Sequence, residues 1–427
     1  MHAFFRIFTT SAFLLSAGLI NPAQAATSGS EQPLTLERSL EIALQENLGL
    51  ASKQATVTSK QASEEADYAA LLPSLSVAAS RSDITHTTAN SAETESYTTT
   101  FTVSQPLYRG RSLWGTWKKS GLQTKQAELD LKRERTTLVQ EVKSAWYTLL
   151  KSEALREASA LALTRLKQHE VNAEALFKEG RNWRNEVLQA RVEVARGEQS
   201  LIEAENDLAI AKANLNKLLR RPLDTPVIFD SSFSLTSFSG DLETLMKGAL
   251  ESRQDLEKTR LDIEASQWDE VITNAQRLPS VDLSYAYKIT GDQLRHREMD
   301  TQGTVSLALS WEMWSWGENS KDTDAKKSAT QAYRYTFEET RDSVMLEVQE
   351  AYLDVKEADK KVKVLKQALE QAEENFRVNQ VRYREQLGTA TDVLNAQELL
   401  TDTKADHISA MADYLTALST LNLATGH

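Results

Sequence analysis

The sequence predicts a mainly α-helical chain whose very long coiled-coil helices are joined to a small set of antiparallel strands of membrane-crossing length. Three observations support that class. Gly and Pro are scarce, 15 and 7 of 427 residues, together about 5% against roughly 12% in an average protein. Neither occurs between Gly317 and Gly388, a stretch that as one helix would run about 105 Å at 1.5 Å per residue. Twice along the chain, just after a Leu-Pro-Ser sequence, the apolar period changes from helical to two.

Residues 1–25 form an export signal. Arg6 precedes the apolar stretch Ile7–Ile20, and Ala23-Gln24-Ala25 supplies a small-x-small cleavage site. A membrane anchor would need about 20 apolar residues, whereas this run is broken by Thr9, Thr10, Ser11 and Ser16. The formal net charge of −12 repels nucleic acid and anionic lipid. An exported chain of this kind is periplasmic, secreted or an outer-membrane β-barrel.

The remainder is a duplication. Ala70–Ser76 resembles Gln276–Asp282, and the prolines are 279 − 73 = 206 positions apart. The same offset pairs Ala43 with Ala249, Val142 with Val348, Ala190 with Ala396 and Leu215 with Leu421. Residues 26–221 are the first repeat, 222–240 the linker and 241–427 the second repeat, each reading helix, strand, loop, strand, very long helix, tight turn, helix.

The first helix spans Leu34–Leu72 and stops at Pro73, which cannot donate within a helix. Strands follow. Val281, Leu283, Tyr285, Tyr287 and Ile289 alternate with polar or small residues, as do Val305, Leu307, Leu309 and Trp311, and in the first repeat Tyr97, Thr99, Phe101 and Val103. Strands of about 9–11 residues cross a bilayer at a 45° tilt, and a half-buried soluble sheet gives the same alternation. Polar loops Ser82–Ser96 and Thr290–Thr301 join each pair; His86 and His296 belong to them or flank them. Tyr108, Trp114 and Trp117 follow the second strand, and Trp311, Trp314 and Trp316 end the fourth. These six aromatics fit an interfacial girdle, with core packing as the alternative.

In the long helix of the second repeat Val344, Val348, Ala351, Val355, Ala358, Val362, Leu365, Leu369, Ala372, Phe376, Asn379 and Tyr383 keep a 4,3 spacing, the period of a left-handed coiled coil. The first repeat, between Gly121 and Gly180, keeps it less well, with Ser152 and Arg156 on the seam. Four membrane strands leave two edges that hydrocarbon does not tolerate. Identical chains must therefore complete the wall, two giving eight strands and three giving twelve.

The duplicated Leu-Pro-Ser, the strand exit Gln105–Gly110 and the tip sequence Arg382–Gln397 together resemble the TolC-type outer-membrane efflux protein family over essentially the whole mature chain. The resemblance implies a homotrimer with one transmembrane β-barrel of twelve strands, four from each chain, set in outer-membrane lipid and continued by an α-helical tunnel into the periplasm. It also implies a periplasmic adaptor and an inner-membrane transporter as partners, with efflux or type I protein secretion as the task.

The resemblance further implies a periplasmic gate. Asp392 matches the acidic tip position, with Glu186 as its first-repeat counterpart, and Tyr383 matches a hydrogen-bonding gate tyrosine. Asn395 stands where some members carry a second acid, and Gly388 where some carry a latching arginine. Gly180 matches the glycine on which adaptor hairpins dock; its second-repeat equivalent is Gln386, with Gly388 two residues on. From the residues themselves, Asp392 is equally a helix-capping acid, and Trp183, between Arg181 and Arg184, either contacts an adaptor or packs across its turn.

Other classes find less to build on. There are no cysteines, and the histidines at 2, 86, 169, 296, 407 and 427 include no HxxxH pair, so no metal, cofactor or catalytic constellation is expected. A pore-less periplasmic coiled-coil adaptor or scaffold is the competing function; it would need a Gly-rich β module around a single helical hairpin, and neither is present in the sequence.

Overall fold

A computed structural model describes residues 33–84, 94–181, 183–291 and 300–426. The first half contains α1 (Leu36–Glu46), α2 (Leu48–Ala69), β1 (Ser74–Ile84), β2 (Thr94–Arg109), α3 (Ser112–Lys178) and α4 (Arg184–Leu218). The second contains α5 (Leu242–Ser252), α6 (Gln254–Asn274), β3 (Ser280–Gly291), β4 (Asp300–Ser310), α7 (Glu318–Arg384) and α8 (Ala390–Ala424). Every element of the second half begins at the sequence offset set by the two prolines. The backbone carries the same signature. All eight described residues with positive φ fall into four pairs at that spacing: Gly110 with Trp316, Arg111 with Gly317, Gly180 with Gln386, and Arg220 with Gly426.

The helix expected over Leu34–Leu72 is two helices. Asn47 adopts an extended ψ of 127°, donates its N–H to Ala43 O as the end of α1, and accepts from Leu50 N at 3.1 Å as the start of α2. One residue thus satisfies orphan groups on both sides of a bend, with its backbone N–H on α1 and its side-chain oxygen on α2. Arg253 holds the same backbone conformation between α5 and α6 and its N–H likewise closes α5 on Ala249 O, but its side chain does not cap α6. Its buried guanidinium instead bonds Glu347 Oε2 at 2.7 Å and Ala424 O at 3.1 Å, tying α6 to both long helices of its half.

α7 is a single helix of 67 residues, about 100 Å long. Its 4,3 seam is buried or half-buried at every position from Val344 to Tyr383. α3 has the same length and begins before the expected start, running through Gly115 and Gly121. Packing against α2 and α6 offsets the roughly 1 kcal/mol that each interior glycine costs a helix. Where its seam meets Ser152 and Arg156, the guanidinium stays in place by bonding Glu153 at 2.6 Å.

The core consists of two equivalent clusters. Val142, Leu149 and Leu215 anchor the first, Val348, Val355 and Leu421 the second. Phe229, Phe233 and Phe238 from the connection between the halves pack onto them, and the Tyr414 hydroxyl donates to Thr236 O at 2.6 Å. None of the described helices is long and apolar enough to cross a membrane.

The four strands form one antiparallel sheet in the order β1-β2-β3-β4. β1 and β4 have 11 residues, within the expected range, but β3 has 12 and β2 has 16, carrying Pro106 at a register shift against β3, where a missing N–H is tolerated. The strands also run into both expected loops, to Ile84 and from Thr94, to Gly291 and from Asp300. The loop centres with His86 and His296, and the export segment 1–25, lie outside the described residues. Among those described, β1 and β4 each pair on one side only. Val305, Leu307 and Leu309 of β4 and Leu75 and Val77 of β1 turn apolar side chains outward.

Candidate functional site

The two long helical hairpins reverse direction at the end of the molecule away from the sheet, and both turns have one geometry. At the end of α3 the N–H groups of Gly180 and Arg181 donate to Phe177 O and Leu176 O; at the end of α7 those of Gln386 and Leu387 donate to Tyr383 O and Arg382 O. This is a Schellman motif, whose central residue takes the left-handed conformation. Gly180 adopts it with φ 71° and Gln386 with φ 60°.

The helices that leave the turns start differently. α8 opens with a complete capping box: Asp392 N donates to Thr389 Oγ1 at 3.2 Å, and Thr389 N donates to Asp392 Oδ2 at 2.9 Å. The hydrogen bonds from Thr389 hold the Asp392 carboxyl below the usual carboxylate range, with Arg382 adding a smaller attraction, so Asp392 is ionised at neutral pH. In the first half Trp183 holds the corresponding position without a side-chain cap, and Glu186, the equivalent of Asp392, follows in the first turn of α4. The indole of Trp183 is 81% exposed.

Four of the residues singled out in the sequence meet in one cleft of about 440 Å³: Glu186, Tyr383, Gln386 and Gly388. Arg181 and Thr389 share it. Asp392 and Asn395 are exposed on α8 outside that cleft. Gly180 and Trp183 occupy the neighbouring turn. At Gly388, where a latching arginine was considered, the nearby guanidinium is that of Arg382, which donates to Leu387 O at 3.3 Å within its own turn.

Sequence reasoning missed two participants. The sequence marks Arg181 only as a flank of Trp183, yet it lines the cleft. His169, one of the scattered histidines, is buried behind the cleft and packs against Tyr383 in a tilted arrangement, with ring centroids 5.4 Å apart. Neither has a local sequence signal, because the contacts join α3 to α7 across some 200 residues of chain.

At the opposite end the six aromatics divide. Trp114 and Trp117 lie on the first turns of α3, against Trp268 at 5.0 Å and Tyr68 at 5.5 Å. Tyr108, Trp311, Trp314 and Trp316 are exposed around the strand ends. The Trp311 indole donates to Arg277 O at 3.1 Å.

Comparison with known proteins then decides the family. The family model described as outer membrane efflux protein matches residues 39–220 and again 245–427. The chain belongs to that family. It is similar to the alkaline protease secretion protein AprF of Pseudomonas aeruginosa, 22% identical over 375 residues that cover 84% of this chain and 77% of that protein. The outer membrane protein VceC of Vibrio cholerae has the same fold, with a TM-score of 0.80 and 20% identity, covering 92% of this chain and 96% of VceC. So does the outer membrane channel CmeC of Campylobacter jejuni, with a TM-score of 0.82 and 16% identity, covering 94% and 90% of the two chains. This family member is an outer-membrane channel-tunnel for efflux or secretion, with its sheet in the membrane and its helices in the periplasm. Nothing in these matches supports the adaptor or scaffold alternative.

Proposed function

We propose that three copies of this chain, each contributing four strands, close a twelve-stranded barrel and a common helical tunnel. The observation that carries this reading is the open sheet: β1 and β4 each have one unpaired edge among the described residues. Such edges cannot stand in hydrocarbon, and four strands are too few for a barrel. Two copies would give a barrel filled by its own side chains, whereas three leave room for a lumen. Tyr108, Trp311, Trp314 and Trp316 serve as the interfacial girdle, with Trp114 and Trp117 just beneath them at the tops of the helices.

In this assembly the tips of α7 and α8 converge on the axis and Asp392 forms a ring of three carboxylates. Its depressed pKa keeps the ring charged, so the constriction repels itself and attracts cations. Glu186, Tyr383 and Asn395 complete the gate around it. The turns at Gly180 and Trp183 and at Gln386 and Gly388 receive the hairpins of a periplasmic adaptor, which couples the duct to an inner-membrane transporter. The transporter supplies the energy; the duct is not an enzyme. Export proceeds with cleavage after Ala25, and the two repeats meet at the linker 222–240.

Planar-bilayer recording on the purified protein tests the reading. The expected result is an ohmic pore whose conductance rises, or whose block by divalent cations weakens, in Asp392→Ala. A protein that runs as a soluble monomer without detergent would overturn the duct, and a conductance and block both unchanged in Asp392→Ala would overturn the gate.

A further inference from the structure

Behind Tyr383, between α3, α7 and α8, lies a second cavity of about 450 Å³ that the channel reading does not use. That is within the range of small-molecule sites. Leu166, Phe376 and Leu394 give it apolar walls. Two polar atoms in the lining have no partner: His169 Nε2, on a residue 8% exposed, and Gln397 Oε1, on a residue 4% exposed. A buried polar atom left without a partner costs about 1–3 kcal/mol, so two in one cavity need a reason. The orientation of the Gln397 amide is settled by its neighbour. Thr401 Oγ1 gives its proton to Gln397 O at 2.8 Å and accepts from Gln397 Nε2 at 3.0 Å, which leaves Oε1 aimed away as a pure acceptor.

The charge around the cavity is one-sided. Arg165 and Arg384 line it, and no Asp or Glu does, although acids outnumber bases in the chain by 61 to 49. Arg165 lies over the Phe376 ring at 5.3 Å. Neither guanidinium has a carboxylate partner among the described residues. An unpaired guanidinium over an aromatic wall favours a planar anion, because it offers a fork of donors and a stacking face.

We propose that this cavity binds a small amphipathic organic anion: a flat apolar body, a carboxylate or similar group held by Arg165 and Arg384, and one hydroxyl or N–H that donates to Gln397 Oε1. His169 belongs to the same lining, and its Nε2, buried and without a partner, is the remaining polar atom a ligand could engage. A bound ligand touches α3 on one side and α7 and α8 on the other, so it joins the two hairpins just above their turns.

The test is equilibrium dialysis of 6-hydroxy-2-naphthoate against the full assembled protein in micelles, with protein-free micelles as the blank. Saturable binding of one probe per chain is expected, weakened at least fivefold by Arg384→Gln and further by adding Arg165→Gln. Arg384 is on the surface, so its change leaves the helix packing intact, and unaltered assembly on a native gel verifies this. The 6-methoxy analogue, which cannot donate, is expected to bind at least threefold more weakly, and Gln397→Met to abolish that difference. Uptake equal to empty micelles would overturn the proposal, as would affinity indifferent to both arginines or a methoxy analogue that binds equally well. No pore is measured, so this outcome is independent of the conductance experiment.

Discussion

The two tip turns have one backbone and two chemistries. Gly180 and Gln386 share a left-handed conformation and the same pair of reverse hydrogen bonds, yet one turn leads into a helix capped by Thr389 and Asp392 and the other into a helix that starts at Trp183 with no cap. The same divergence recurs at the bends, Asn47 against Arg253, and at the strand-to-helix corners, Gly110 against Trp316. Between the two halves the backbone conformation is the same at each corner while the side chains serve local tasks. Backbone conformation is fixed by the whole hairpin, whereas a side chain answers only to its neighbours.

The corner pair gives the widest expected contrast. At Gly110, with φ 60°, an added Cβ would stand 2.6 Å from Ala275 O. Gly110→Ala is therefore expected to cost about 3 kcal/mol in unfolding of the purified protein, from left-handed strain plus overpacking. Trp316 has the same backbone but is 89% exposed, and Trp316→Ala should stay within about 0.5 kcal/mol. Equal losses would break the comparison.

The bends come next. Arg253→Ala strips partners from Glu347 and from the Ala424 carbonyl and is expected to cost about 2 kcal/mol. Asn47→Ala removes only a cap, about 1 kcal/mol. The turns should then move in opposite directions: Gln386→Gly stabilises by about 1 kcal/mol and Gly180→Gln destabilises by a similar amount, because only the glycine takes φ > 0 without strain.

The smallest effect is a pH signature. Asp392 is held below its unfolded pKa of about 4 by its capping bonds. Its contribution is complete above that value and disappears as pH falls through the lower folded one. The stability gap between the native protein and Asp392→Asn should therefore close in acid.

Much of this architecture was legible in the sequence because it rests on repetition and period. The 4,3 seam from Val344 to Tyr383 could be read directly, since supercoiled helices bury every seam residue in order. Pro73 and Pro279 marked where helix gives way to strand. Asn47 escaped notice because a cap that both ends and begins a helix leaves the apolar period unbroken on either side. The extension of β2 through Pro106 was hidden because a bulge excuses the missing donor. At the tip, the sequence places Glu186, Tyr383, Gln386 and Gly388 in or beside the two turns, but their sharing of one cleft depends on how the hairpins pack. The cavity lined by Arg165, His169, Arg384 and Gln397 was not legible either, since three helices must pack before its walls exist.

The sheet that ends in two unpaired edges has a genetic consequence. In the ring proposed above, a chain whose strands cannot mate with a neighbour is no spectator: it would leave one seam unzipped and disable the sound copies beside it. Damage to β1 or β4 should therefore be dominant when co-expressed with the intact gene, whereas a null allele should be recessive.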